Sequence, residues 1–129
     1  MTALRLEVVP MAAPRQSQRD AWNPSPAVLR YRAFRDELRI RVAQAGYVPG
    51  DALTVTFYLP MPASWSQRKR RAMDGQPHQQ KPDTDNLLKG FCDALLADDA
   101  HIWDMHARKR WAVEGAIEIE TVETERDAA

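Results

Sequence analysis

The chain has 129 residues, 44% hydrophobic and 28% charged, with 18 basic and 18 acidic side chains and a net charge of zero. That is the length of one domain and the composition of an ordinary globular protein. No apolar run approaches the ~20 residues needed to cross a bilayer, the start MTALRLEVVP has neither the apolar core nor the cleavage site of a signal peptide, and the single cysteine, Cys92, excludes an internal disulfide and fits a reducing cytosol.

Leu4, Leu6 and Val8 alternate with Arg5 and Glu7, which predicts a short half-buried strand. Residues 10–26 contain Pro10, Pro14, Pro24 and Pro26 and predict a mobile loop, with Pro26 placed to open the next helix. From Ala27 to Ala45 the apolar set Tyr31, Phe34, Leu38, Val42 and Ala45 recurs every three or four residues, the pattern of an amphipathic helix, and Gly46 supplies its C-cap. Leu53, Val55, Phe57 and Leu59 alternate with Thr54, Thr56 and Tyr58 in the clearest strand, ended by Pro60 and Pro62.

Residues 64–72, SWSQRKRRA, predict a short basic helix or turn, after which Gly75 and Pro77 break the chain. A second amphipathic helix is expected from about Asp85 to Leu96, burying Leu88, Phe91, Cys92, Leu95 and Leu96. Ile102 to Val113 predicts a strand with Trp103 and Met105 on one face, and Ala116 to Val122 another with Ile117 and Ile119 inward. The order βαβαββ, over a single domain 1–129, predicts an α/β (α+β) fold: a small mixed β-sheet with helices on one face.

The net charge of zero hides an asymmetry. Residues 111–129 carry Glu114, Glu118, Glu120, Glu123, Glu125 and Asp127 against Arg126 alone, a net −5, so the rest of the chain carries +5. Residues 123–129 form an acidic tail, and the basic remainder is either a solvated surface or a face able to meet a phosphate backbone.

The most informative stretch is KPDTDNLLKGFCDALLADDAHIWD, residues 81–104. Asp83 and Asp85 bracket one residue at the start of the second helix. Lys89 and Asp93 follow Asp85 at intervals of four, on one helical face. Asp98 and Asp99 follow the helix. Each has a structural explanation: Asp83 or Asp85 as N-cap, Asp93 as the partner of Lys89, and Asp98 and Asp99 as turn residues. Yet so many like charges near one helix repel unless a cation neutralises them. Carboxylates at a helix and its ends suit a hard divalent cation such as Mg²⁺, which takes one or two carboxylates and completes its shell with water and substrate phosphate.

Other chemistries have less support. His78, His101 and His106 show no zinc spacing with cysteine and are expected at the surface. No glycine-rich phosphate loop and no GxSxG elbow is present. Cys92, with no base placed to activate it, is a packing residue. Arg68, Lys69, Arg70 and Arg71 precede the acidic stretch, with Lys81 at its edge, and Arg108, Lys109 and Arg110 follow it. Trp65, Trp103 and Trp111 interleave with them, as in surfaces that combine phosphate contacts with base stacking. Trp103 and Trp111 also fit as core aromatics of a strand, and Trp65 is the better candidate for exposure.

The string KPDTDNLLKGFCDALLADDAHI resembles the signature of the RusA-like Holliday junction resolvases, a family often carried by phages and prophages. The family pattern is Asp-x-Asp-Asn, a Lys three residues after the Asn, Asp-Ala-Leu, then an Asp-Asp pair followed by an apolar residue. Asp83, Asp85, Asn86, Lys89, Asp93-Ala94-Leu95, Asp98, Asp99 and Ile102 match it, and elsewhere the agreement is in element order alone. The resemblance implies a cytoplasmic, Mg²⁺-dependent endodeoxyribonuclease, with Mn²⁺ a possible substitute, acting as a homodimer on four-way DNA junctions in recombination and repair.

Carried over by position, Asp83, Asp85 and Asp99 match the family's essential carboxylates and Lys89 its essential lysine. The family often has a longer turn with glycine and an aromatic before the Asp pair; here only Leu96 and Ala97 intervene, so either Asp98 or Asp99 reaches the metal. One or two such ions would polarise the scissile phosphate and lower the pKa of an attacking water, with Lys89 offsetting charge on the phosphate or helping to hold the nucleophile. The rival readings are a nuclease that prefers forks or flaps and a DNA-binding phage protein whose acidic cluster is inactive.

Overall fold

The structure, a computed structural model, describes residues 2–96 and 98–121. The acidic tail at 123–129, and Val122 at the end of the last expected strand, lie outside the described residues. The element order is β1 (Thr2–Leu6), α1 (Pro26–Ala45), β2 (Ala52–Pro60), α2 (Gln67–Met73), α3 (Thr84–Leu95), β3 (Asp104–Ala112) and β4 (Ala116–Thr121), with a short 3₁₀ turn at Gln18–Ala21. This is the mixed α+β architecture expected, with the four strands in the order β1-β4-β2-β3. β4 runs antiparallel to both its neighbours, and β2 and β3 are parallel. Parallel neighbours need a crossover, and α2 and α3 lie within that connection.

Strand alternation divides the sheet into two faces. Leu53, Val55, Phe57 and Leu59 of β2 stand with Ile117 and Ile119 of β4 on the face that α1 and α3 cover. In register, Ile119 lies between Leu4 and Val55, and Ile117 between Leu6 and Phe57. Ile117 and Ile119 are buried, as their spacing predicts. Phe57 meets Phe91 of α3 edge to face at 6.2 Å, a geometry that adds about 0.5–1.5 kcal/mol beyond area burial. The other face stays open, and there Arg5 stacks on Tyr58 and pairs with Glu118.

α1 begins where the sequence predicts, with Pro26 in the first turn and Ser25 as N-cap accepting a hydrogen bond from the Val28 amide. It ends at Gly46, whose φ of 70° is the left-handed conformation that glycine adopts without a Cβ clash. Its buried stripe is Val28, Tyr31, Phe34, Leu38 and Val42; Ala45 is exposed, because the helix runs past the edge of the core before it stops.

The buried stripe of α3 is rotated from the expected one. Leu87, Gly90, Phe91, Cys92 and Ala94 are buried, whereas Leu88, Leu95 and Leu96 are half-buried. The cause is Gly90, a gap in the apolar pattern that sequence periodicity passes over. Its missing side chain admits another piece of backbone: an ideal Cβ there would lie 2.6 Å from the Met11 carbonyl oxygen and 2.9 Å from the Ala13 nitrogen. Residues 11–13 of the proline-rich segment therefore lie directly on α3. Tyr31 adds a buried hydrogen bond from its hydroxyl to the Gly90 carbonyl at 2.8 Å. Further along this segment, Asp20 accepts from the backbone amides of Ser17 and Ser25, at 2.7 and 2.9 Å, which holds its carboxyl below the usual range.

Candidate functional site

α3 is the scaffold of the acidic stretch. Asp83 occupies its N-cap with extended backbone, yet its carboxylate makes no cap hydrogen bond to the helix. An N-cap aspartate normally accepts from an amide of the first turn, so this one is spared from the structural role that sequence alone allows it. Asp85, in the first turn, accepts from the Asn86 amide at 2.9 Å and is exposed. The helix N-terminus carries partial positive charge, which favours carboxylates there.

One turn on, Lys89 reaches Asp93 at 3.1 Å on the exposed face. Such an exposed pair contributes about 0.3–0.5 kcal/mol, so the ammonium is easily redirected. Asn86, Lys89 and Asp93 form one wall of an open groove of about 540 Å³, and Ala13, Pro14, Arg15 and Gln16 form the other. Arg15 and Gln16 are thus candidate site residues that the sequence reading does not find. Their signal was Gly90, a mid-helix glycine with no helical reason to be there.

The remaining acidic pair stands apart. α3 spans about 18 Å at 1.5 Å per residue. Asp83 opens the helix, while Asp98 and Asp99 follow its C-terminus. Asp98 accepts from the Ala100 amide at 2.9 Å, a turn geometry. Asp99 lies close enough to Cys92, in the last turn, to help raise that thiol. Among the described residues no three His, Cys, Asp or Glu side chains gather to hold a metal ion. The structure thus places Asp83 and Asp85 at the start of α3 and pairs Lys89 with Asp93 along it, while Asp98 and Asp99 follow the far end of the helix from Asp83, with Asp99 and Asp93 both acting on Cys92. As a donor set, two exposed carboxylates one residue apart match what Mg²⁺ ordinarily takes from protein.

Cys92 is buried, and its thiol is pushed up to about 11, first by burial and then by Asp99 and Asp93, which makes it inert as expected.

The basic clusters divide. On α2, Arg68 and Arg71 are exposed, Lys69 lies 4.3 Å over the Trp65 ring, and Arg70 is held by the Pro62 carbonyl at 2.9 Å. Lys81 is exposed. On β3 the run of three cations does not make one patch, because successive strand residues point to opposite faces. Lys109 is spent on the carbonyls of Gln80 and Pro82, at 2.6 and 2.9 Å, and so fixes the segment that delivers Asp83. Arg110 donates to the Gly75 carbonyl at 2.8 Å. Of the three, Arg108 is exposed on the open face of the sheet.

The tryptophans sort differently from expectation. Trp65 is half-buried, with Lys69 over its ring and Trp111 tilted against it at 4.8 Å, rather than standing free as expected. Trp111 is a core aromatic, and His78 lies against it at 4.1 Å. His78 is buried, not at the surface, and burial together with Lys109 lowers its pKa. Trp103 is 71% exposed and is not a core residue, because β3 starts one position after it.

The sequence model of the family described as Endodeoxyribonuclease RusA matches residues 6–121. The chain belongs to the RusA endodeoxyribonuclease family. No curated protein matches it. The match runs from Leu6, the last residue of β1, to the last residue of β4, so it takes in β2, β3 and β4, both long helices and the acidic stretch. The reaction class of this RusA-family chain is endonucleolytic cleavage of DNA. Among the described residues no helix is long and apolar enough to cross a membrane.

Proposed function

We propose that this RusA-family chain is a Mg²⁺-dependent endonuclease that resolves four-way DNA junctions by paired nicks, working as a homodimer. The observation that carries the proposal is the uncommitted carboxylate of Asp83 at the start of α3, one residue from Asp85. A carboxylate left out of the cap costs helix stability unless it serves another purpose. Asp83 and Asp85 would hold the ion, with Mn²⁺ able to replace it. Asp99, or its neighbour Asp98, would join them only through movement of the segment after α3.

Bound there, Mg²⁺ would supply Lewis acidity to the scissile phosphate and a water of lowered pKa. The other parts belong to the chain. Lys89, released from Asp93, offsets charge growing on the phosphate. Arg15, which lines the groove opposite Lys89, would hold a neighbouring phosphate. Arg68, Lys69 and Arg71 of α2, together with Lys81, neutralise backbone further along the duplex. Products would carry a 5′-phosphate and a 3′-hydroxyl.

A panel of labelled four-way junctions, forks, flaps and linear duplexes, incubated with Mg²⁺ or with EDTA, tests this directly. Fastest cleavage of the four-way junction, and none in EDTA, is the expected result. Faster cleavage of forks or flaps would reassign the substrate. Binding with no cleavage of any substrate in Mg²⁺ or Mn²⁺ would leave a DNA-binding protein without nuclease activity.

A further inference from the structure

β3 is at the edge of the sheet, and only half of that edge is covered. Residues 75–78 lie along its C-terminal half: the Gly75 amide donates to the Trp111 carbonyl, the Trp111 amide to Gln76 and the His78 amide to Lys109. These bonds also reveal the strand's parity. The backbone groups of the odd-numbered residues point outward, and those of the even-numbered residues point to β2. Met105 and Ala107 have the outward parity, and among the described residues their amides and carbonyls have no backbone partner on that side. An open edge of this kind is a template for another strand.

We infer that this edge pairs with the same edge of a second copy, antiparallel and centred on His106. The sequence Asp104-Met105-His106-Ala107-Arg108 is self-complementary about that centre. In this register Asp104 stands opposite the partner's Arg108, and Arg108 opposite the partner's Asp104. Met105 and Ala107 exchange backbone hydrogen bonds with the partner's Ala107 and Met105, which satisfies all the outward groups of both. His106 meets its own copy, and each imidazole lies 2.9 Å from Asp104 of its own strand. The ladder is limited to five residues because residues 75–78 occupy the edge beyond it. Beside it lies Trp103, the largest exposed apolar side chain on this edge.

Charge is what selects a second copy over an unrelated strand. Both oppositely charged pairs need a partner with a base opposite Asp104 and an acid opposite Arg108, a pattern that this chain's own strand supplies when it runs in the opposite direction. The symmetry has a further consequence. Antiparallel pairing of equal strands places the two-fold axis perpendicular to the sheet, so the helix layers of both copies lie on one side. The two-fold turns the two α3 helices in opposite directions but keeps both on the same side of the joined sheet, so both Asp83–Asp85 pairs sit in one layer, symmetrically placed for two nicks in one junction. The pairing also places Arg108 at the subunit boundary.

The inference deepens the dimer in the proposed function, but its test uses neither DNA nor metal, so it can fail while the nuclease reading stands. Light scattering across a concentration series should give about twice the 14.7 kDa chain mass for the wild type. Ala107→Pro removes an outward amide that β2 does not use, and proline is tolerated on such an edge. It should give the single-chain mass with an unchanged circular dichroism spectrum. Arg108→Asp, on an exposed side chain, sets like charges opposite each other and should weaken dimerisation at least about tenfold. Adding Asp104→Arg restores opposite charges and should restore the dimer. A wild type that stays monomeric, or a folded single variant that dimerises as tightly as the wild type, would overturn the pairing.

Discussion

Gly90 and Met11 meet backbone to backbone: a Cβ on Gly90 would stand 2.6 Å from the Met11 carbonyl oxygen. This contact presses the proline-rich segment onto α3 and carries Arg15 and Gln16 to the groove beside Lys89. Gly90→Ala should therefore destabilise the protein by about 1–3 kcal/mol through overpacking. Helix propensity alone would predict a gain of about 1 kcal/mol. Urea unfolding decides the sign, and an increase in stability would mean that the segment yields without cost.

Acid should weaken the fold through His78. Burial and Lys109 lower its pKa from the ordinary 6.5. Above pH 6.5 the residue is neutral in both folded and unfolded chains and contributes no pH dependence. As pH falls through 6.5 the unfolded chain gains a proton that the folded chain does not, so stability declines. His78→Gln removes that contribution, and thermal melts between pH 7.5 and pH 5 should show a shallower acid decline in the variant.

The cations of α2 differ in availability. Arg68 and Arg71 are exposed, whereas Arg70 is tied to the Pro62 carbonyl. Neutralising Arg68 and Arg71 together should weaken binding of any DNA sequence and flatten the slope of log K against log salt by about two. Neutralising Arg70 alone should change the slope less. Titrations at four salt concentrations measure both, and an unchanged slope in the double variant would remove α2 from the DNA-contacting surface.

Lys89 is paired with Asp93 at 3.1 Å on an exposed face. If that pair were its only role, Lys89→Ala would cost about 0.3–0.5 kcal/mol of stability and leave cleavage intact. If Lys89 acts on the phosphate, the single-turnover rate should fall steeply with little loss of junction affinity.

Most of the fold was legible because its signals are local. Ser25, Pro26 and Gly46 delimit α1, and the alternation around Val55 and Ile119 sets the inward face of the sheet. What escaped depends on contacts between distant segments. The docking of Met11 on Gly90 rotates the stripe of α3. The packing of Trp65 and His78 on Trp111 leaves an expected exposed aromatic half-buried and makes an expected surface histidine an interior residue. The basic run on β3 looked continuous in sequence, but strand geometry splits it and two carbonyls take up Lys109. At the candidate site the proximity of Asp83 and Asp85 follows from spacing alone. The distance of Asp83 from Asp98 and Asp99 follows from the length of α3, whose ends periodicity marks only approximately.

The carboxylates at the start of α3 are the centre of the account, and replacing them tests it most directly. Single-turnover cleavage of a labelled four-way junction should be measured for Asp83→Asn and Asp85→Asn in Mg²⁺, alongside junction binding in EDTA. Both residues are exposed, so both variants should fold. The account predicts cleavage reduced at least about a thousandfold, a barrier increase of roughly 4 kcal/mol, with binding equal to wild type or tighter as repulsion of phosphate falls. Cleavage near the wild-type rate in either variant would contradict it.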